Sequence, residues 1–373
     1  MLHTCIRVSV LALALPLVAC NTSNDETGDK SGILDAGAVP SSSANGDAGG
    51  ASGPSVIIPV GFDASVGTPT NPGDAGRATS NVDASIASDG GVAPALGSDG
   101  SVATAPKPSG TPFPKVTDFS KPGPFTSATD GNQGPNGMTV YSPTELGKDG
   151  VLHPVLTWMN GGGTTQDFYD MLPHLATHGF VVLASNTPPG IGDEVNLGKE
   201  MIANLDWALA ENTRMGSKFA GKLDTSRIAA FGYSMGSLAT FTIASDPRLT
   251  TTVHISGGNM APERVSNLHA PAAFICGIPG DSNCNILSED CDIAGANCAT
   301  DFMNAKTPVF YAVFPGGHLG ILGSPHGERI KTMTTAWLRY QLMGDPDLHN
   351  MFVGPTCSYC TDTNWKVQQK NLQ

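Results

Sequence analysis

The sequence is poor in positive charge: its 373 residues hold 20 lysines and arginines against 33 acidic residues, a net charge of −13, and no basic cluster. That absence excludes a nucleic-acid-binding surface. The N-terminal apolar run, Val8 to Val18, falls short of the ~20 residues a bilayer-spanning helix needs. C-x-x-C occurs once, as Cys357-Ser-Tyr-Cys360, and not as the paired spacing of a tetrahedral metal centre. No metal site is expected. Large apolar residues are scarce between 21 and 110, where Gly, Ala, Ser, Asp and Pro dominate. Such a stretch cannot bury enough surface to offset the entropy of ordering. It carries Asp-Ala-Gly or Asp-Ala-Ser units beginning at Asp35, Asp47, Asp63, Asp74 and Asp83. Their irregular spacing excludes a solenoid. With ten acidic and three basic residues, this stretch holds about half of the net charge. It is expected to be a disordered linker with a reach of roughly 50 Å.

What is present begins with an export signal. Met1 to Ala19 contains one arginine, Arg7, before the apolar run, as a secretory signal does. Leu17-Val18-Ala19-Cys20 resembles the lipobox of bacterial lipoproteins. The resemblance implies acylation of Cys20 and a membrane partner through that lipid anchor, in the cell envelope (outer membrane or cell surface). The expected organisation is a signal peptide over 1–19, a lipid-anchored linker over 20–110 and a catalytic domain over 111–373. Beyond Cys5 and Cys20, six cysteines remain, at 276, 284, 291, 298, 357 and 360. In an exported protein an even number points to disulfides, with 15 connectivities open. Cys357 and Cys360 are expected to form a structural bridge. The set Cys276, Cys284, Cys291 and Cys298 is expected to brace a loop, with its pairing undetermined.

From Thr111 onward, strand and helix patterns alternate. Short apolar runs at 138–141, 154–159, 180–184, 228–231, 252–255, 272–276 and 309–314 read as strands. Segments 166–178, 196–210 and 328–342 read as helices, with Pro173 breaking the first or starting a second short one. Alternation of this kind predicts an α/β fold with a doubly wound, mostly parallel sheet.

One stretch organises the rest. Ile228 to Phe231 reads as a buried strand, Gly232-Tyr-Ser-Met-Gly236 follows, and Leu238, Phe241 and Ile243 continue as a helix. Strand, G-x-S-x-G and helix together make a nucleophile elbow. Ser234 is then the candidate nucleophile, and the Met235 N–H an oxyanion donor at the helix N-terminus. Reactive groups of such sheets gather beyond the carboxyl ends of the strands. Asp281 follows the strand ending at Cys276, and His318 follows the strand ending at Phe314. The chain order Ser, Asp, His is that of α/β-hydrolases. Competing bases are His254, His269 and His326; competing acids are Asp246, Glu263, Glu289, Asp290 and Asp292. The loop Asn160-Gly-Gly-Gly163, after an early strand, supplies the second oxyanion donor, Gly162.

Two segments carry a resemblance to a known family. Asp224-Thr-Ser-Arg-Ile-Ala-Ala-Phe-Gly-Tyr-Ser-Met-Gly-Ser237 and Leu175-Ala-Thr-His-Gly-Phe-Val-Val182 are similar to the bacterial cutinase and polyester hydrolases. Dienelactone hydrolases and platelet-activating-factor acetylhydrolases are more distant relatives. The resemblance implies the α/β-hydrolase fold and carboxylester hydrolysis without a cofactor, acting on a small-molecule or polymeric ester. It carries Ser234, Asp281 and His318 onto the family's triad positions. The family's Pro-Gly-aromatic-Thr-Ala is replaced here by Asn160-Gly-Gly-Gly-Thr164, which resembles the HGGG loop of lipases and esterases. Lipase, phospholipase and acetylhydrolase activity are therefore alternatives. A further alternative is a catalytically dead hydrolase fold serving as a calcium-binding or adhesive surface module. Its basis is the oxygen-rich run Asp281 to Asp292, although Ile286 occupies the position where a calcium loop requires glycine.

Overall fold

A computed structural model describes residues 110–258, 262–278 and 298–373. The signal, Cys20, the linker, Asp281, Cys284, Cys291 and the calcium-loop candidate lie outside the described residues. Among the described residues, none of the helices is long and apolar enough to cross a membrane.

The strands are β1 (Ser127–Gln133), β2 (Met138–Pro143), β3 (His153–Met159), β4 (Val181–Ala184), β5 (Leu223–Tyr233), β6 (Leu249–Ile255), β7 (Ala272–Gly277), β8 (Val309–Phe314) and β9 (Lys366–Lys370). They form one sheet in the order β1-β2-β4-β3-β5-β6-β7-β8-β9. From β4 to β8 every pairing is parallel, while β1, β2 and β9 add antiparallel edges. Between the strands lie α1 (Met171–Thr177), α2 (Glu194–Thr213), α3 (Met235–Ile243), α4 (Pro262–Ser266) and α5 (Cys298–Asn304), with α6 (His326–Met343) after β8. This is the α/β-hydrolase fold.

Alternation along the strands sends side chains to the two faces of the sheet. On one face Leu156, Trp158, Ala229 and Phe231 join Leu172 and Leu175 of α1 and Trp337 of α6. On the other, Val155, Ile228 and Ala230 join Leu197, Met201 and Leu205 of α2 and Ala239 and Ile243 of α3. The central strands are buried on both faces, which is why they read as continuous apolar runs. Helices α2 and α3 meet closely at Gly198, where a Cβ would lie 2.0 Å from the Thr242 hydroxyl oxygen. Segment 166–178 is a 3-10 turn (Gln166–Phe168) followed by α1. Pro173 sits in the first turn of α1, where its missing N–H leaves no intrahelical bond unmade. Strands β1 and β9 escape a reading by apolar runs because both are polar, half-exposed edges.

Two disulfides are described. Cys276 pairs with Cys298 across a sequence separation of 22, joining the end of β7 to the start of α5. Cys357 pairs with Cys360, the structural bridge expected from the sequence.

Candidate active site

The glycines of the elbow are required by contact. A Cβ at Gly236 would lie 2.0 Å from the Met159 carbonyl oxygen, and one at Gly232 would lie 2.3 Å from the Gly236 carbonyl carbon. Only a bare backbone lets α3 begin this close to β3 and β5. Between them Ser234 adopts φ 53°, ψ −116°, a region that non-glycine residues rarely occupy. The strain lifts Ser234 out of the sheet, half-exposed at the head of α3.

His318 reaches this serine. Its Nε2 lies 2.9 Å from Ser234 Oγ, although the two residues are 84 positions apart in the chain. Gly317, at φ 63°, turns the chain after β8, and a 3-10 turn begins at His318. Two bonds fix this loop. Gly317 N–H donates to the Ile278 carbonyl at 2.7 Å, and Tyr233 Oη–H donates to the His318 carbonyl at 2.9 Å. Tyr233, the variable residue just before the nucleophile, was not singled out by the motif. Its role becomes visible only through the His318 contact.

The competing histidines are packed elsewhere. His254 is buried, stacked on Phe241 at 3.7 Å and 3.0 Å from Thr252 Oγ1; burial pushes its pKa down to about 3. His269 bridges the Ala244 and Leu249 carbonyls at 3.0 and 3.1 Å. His326 packs beneath the His318 loop, its ring 5.7 Å from that of Phe314. Among the competing acids, Asp246 is committed to Arg248 at 2.6 Å. Burial works against its charge, yet the Arg248 hydrogen bonds prevail and hold its pKa below the usual value. Glu263 is exposed on α4. Asp281, Glu289, Asp290 and Asp292 are outside the described residues. The chain is described as far as Ile278, which is bonded to the residue before His318.

The loop after β3 lies against the elbow. A Cβ at Gly162 would meet Met235 Cγ at 3.5 Å and the Pro189 carbonyl oxygen at 3.9 Å. Asn160 anchors the loop base: it accepts from Trp158 Nε1 at 2.7 Å and donates to the Ser185 and Thr187 carbonyls at 2.7 and 3.1 Å. The structure therefore brings together Ser234, His318, Met235 and Gly162. Phe168, Ile191 and Leu319, each in a segment that follows the oxyanion loop, Pro189 or His318 in the chain, expose apolar side chains. Among the described residues, no group of three or more His, Cys, Asp or Glu side chains is placed to hold a metal ion.

A family model described as PET hydrolase-like matches residues 102–292. The chain belongs to the PET hydrolase-like family. Its matched segment covers the elbow and the oxyanion loop but stops short of His318, which rests on its place after β8 and on its contact with Ser234. Proteins similar to this chain include cutinase est1 of Thermobifida alba, 30% identical over 133 residues, or 34% of this chain and 42% of that protein. Cutinase 2 of Thermobifida cellulosilytica is 28% identical over 142 residues, 35% of this chain and 51% of that one. The bis(hydroxyethyl) terephthalate hydrolase of Streptomyces coelicolor is 27% identical over 125 residues, 33% and 38% of the two chains. The chain thus matches about two-fifths to one-half of the length of these relatives.

Proposed function

We propose that the chain is a carboxylic ester hydrolase working through an acyl-enzyme. The observation that carries this reading is the 2.9 Å contact between His318 Nε2 and the Oγ of a serine held at φ 53°. Ser234 attacks the acyl carbon, and His318 takes its proton and returns it to the leaving alkoxide. The Met235 and Gly162 N–H groups receive the developing oxyanion, helped by the α3 dipole. Asp281 orients the imidazole. Ile278 is bonded to Gly317, and the three further residues to Asp281 span at most ~10 Å, which supports that assignment. The chemistry needs no cofactor. Names of the relatives, cutinases and a terephthalate ester hydrolase, favour esters over amides, since a triad alone does not discriminate.

The exposed apolar side chains of Phe168, Ile191 and Leu319, the last of them next to His318 in the chain, suit an aliphatic acyl group. The oxyanion loop presents glycine where polyester hydrolases place an aromatic ring. Short and medium aliphatic esters are therefore the proposed substrates, ahead of ring-bearing polymers. A p-nitrophenyl ester series of increasing acyl length, run beside phospholipid and aromatic polyester, tests this. Efficient attack on the aromatic polymer with poor turnover of short esters would overturn the substrate assignment. Asp281→Asn should lose orders of magnitude in kcat with little change in stability; a fully active variant would move the acid role elsewhere.

We further propose export and anchoring through a lipid on Cys20, on the strength of Leu17-Val-Ala-Cys20. Cys20→Ala should shift the protein out of the membrane fraction; a wild-type protein that carries no lipid would refute the anchor.

A further inference from the structure

We propose that Thr164 and Tyr169 are positioning residues that set the direction of the Gly162 N–H, and through it the strength of the oxyanion hole. The inference rests on the reading of Gly162 as an oxyanion donor and adds what aims that donor.

Three groups close a ring of hydrogen bonds. Gly161 N–H donates to Tyr169 Oη at 2.9 Å. Thr164 Oγ1–H donates to the Gly161 carbonyl at 2.8 Å. Tyr169 Oη and Thr164 Oγ1 are 2.5 Å apart. The proton directions follow. Thr164 has one hydroxyl proton and spends it on the Gly161 carbonyl, so Tyr169 must donate to Thr164. Burial pushes the Tyr169 pKa up to about 12, so its proton is in place at neutral pH. Gly161 N–H to Tyr169, Tyr169 to Thr164, and Thr164 to the Gly161 carbonyl then all run in one sense, with every group satisfied.

The Gly161 carbonyl and the Gly162 N–H belong to the same peptide unit. That unit is planar and trans, so the two bonds point in opposite directions. Fixing the carbonyl fixes the N–H. The carbonyl also accepts from Thr164 N–H at 3.1 Å, closing a turn in which Gly163 has φ +70°, as the third residue of a type II turn requires. Gly163 N–H is tied to the Pro189 carbonyl at 3.0 Å. Both sides of Gly162 are thereby held, in a loop that is itself exposed. Tyr169 has rigid support, its ring meeting Trp158 at 4.8 Å and Tyr233 at 6.0 Å. Gly161 presses on that frame: a Cβ there would lie 2.5 Å from the Tyr233 ring and 3.1 Å from Tyr169 Oη.

The test compares wild type with Thr164→Val, Thr164→Ser and Tyr169→Phe. It measures kcat and KM on p-nitrophenyl butyrate, the rate of inactivation by diethyl p-nitrophenyl phosphate, and Tm. Losing an oxyanion donor outright lowers kcat by about 10²–10³-fold; tilting one should lower it roughly 10-fold or more. Thr164→Val is expected to lose kcat by that factor with KM within about two-fold, as for an interaction made only in the transition state. Inactivation, which builds charge on a phosphoryl oxygen at the same place, should slow in parallel, and Thr164→Ser should restore both. Should the valine variant fail to fold, Tyr169→Phe carries the same test. Wild-type protein inactivated by the phosphate, with Thr164→Val or Tyr169→Phe at an unchanged rate and kcat, would overturn the positioning role while leaving Ser234 as nucleophile. A serine variant as impaired as the valine variant would also overturn it. Wild-type protein that resists the phosphate and hydrolyses no ester would overturn the underlying site, and this inference with it.

Discussion

Gly277 at the end of β7 touches Gly317, the residue before His318, so closely that a Cβ on Gly277 would lie 1.9 Å from the Gly317 carbonyl oxygen. The next residue, Ile278, accepts the Gly317 N–H at 2.7 Å. The strand end that leads to Asp281 and the loop that carries His318 are thus one backbone unit. A side chain at 277 must push the histidine loop away. Gly277→Ala is expected to lose activity out of proportion to stability. Overpacking costs about 1–3 kcal/mol, whereas a displacement of ~1 Å at the base costs about 10²-fold in rate. Parallel measurement of kcat and Tm checks this, and an alanine variant with wild-type kcat would contradict it.

The oxyanion loop has room for a Cβ at its exposed Gly162. A Cβ at Gly162 meets its neighbours at 3.5 and 3.9 Å, ordinary van der Waals distances. Gly162→Tyr should therefore fold. An aromatic contact is worth about 0.5–1.5 kcal/mol, so the variant should turn over a benzoyl or terephthaloyl ester a few-fold better relative to a butyryl ester. The ratio of the two kcat/KM values is the readout.

The Cys276–Cys298 bridge closes the segment that contains Asp281, and both cysteines are buried. A loop of this length contributes about 3 kcal/mol in the chain-entropy account. Cys276→Ala with Cys298→Ala should lower unfolding free energy by up to that amount. It should also lower kcat at temperatures where the protein is still folded. The Cys357–Cys360 bridge spans only three positions, and its double alanine variant should retain kcat. Equal kcat in both double variants would separate the first bridge from the site.

Two buried histidines make stability depend on pH. His178 is held near 4 by burial first, with His174 beside it and Arg339 adding to the effect; His254 is held near 3 by burial. Unfolded, each takes up a proton around its ordinary 6.5. Below that pH the unfolded chain binds more protons, so this stability is complete above 6.5 and is lost as pH falls toward 4 for His178 and 3 for His254. Each histidine contributes a slope approaching about 1.4 kcal/mol per pH unit. Urea unfolding between pH 7 and 5 should show the decline, and His178→Gln should flatten it by about one proton. An unchanged slope would contradict the assignment.

Most of the central sheet was legible from the sequence, because strands buried on both faces appear as uninterrupted apolar runs. The elbow was legible for a different reason: Gly232 and Gly236 are demanded by contacts at 2.3 and 2.0 Å, so the motif is a steric record. His318 was found by its position after β8. The edges β1 and β9 were not legible, since Ser127–Gln133 and Lys366–Lys370 carry polar side chains and take their place from pairing with a neighbour. Thr164, Tyr169 and Tyr233 were missed as well. Their roles are hydrogen bonds to backbone atoms, and no spacing in the chain announces which carbonyl a hydroxyl will meet.

The central claim is that Ser234 is a nucleophile activated by His318. Labelling with a fluorophosphonate, followed by digestion and mass mapping, tests it most directly. The account predicts a single adduct on Ser234 in the wild-type protein, none in Ser234→Ala, and labelling slowed by more than about 10²-fold in His318→Ala. A protein that hydrolyses esters while Ser234 stays unlabelled, or that labels equally fast without His318, would contradict it.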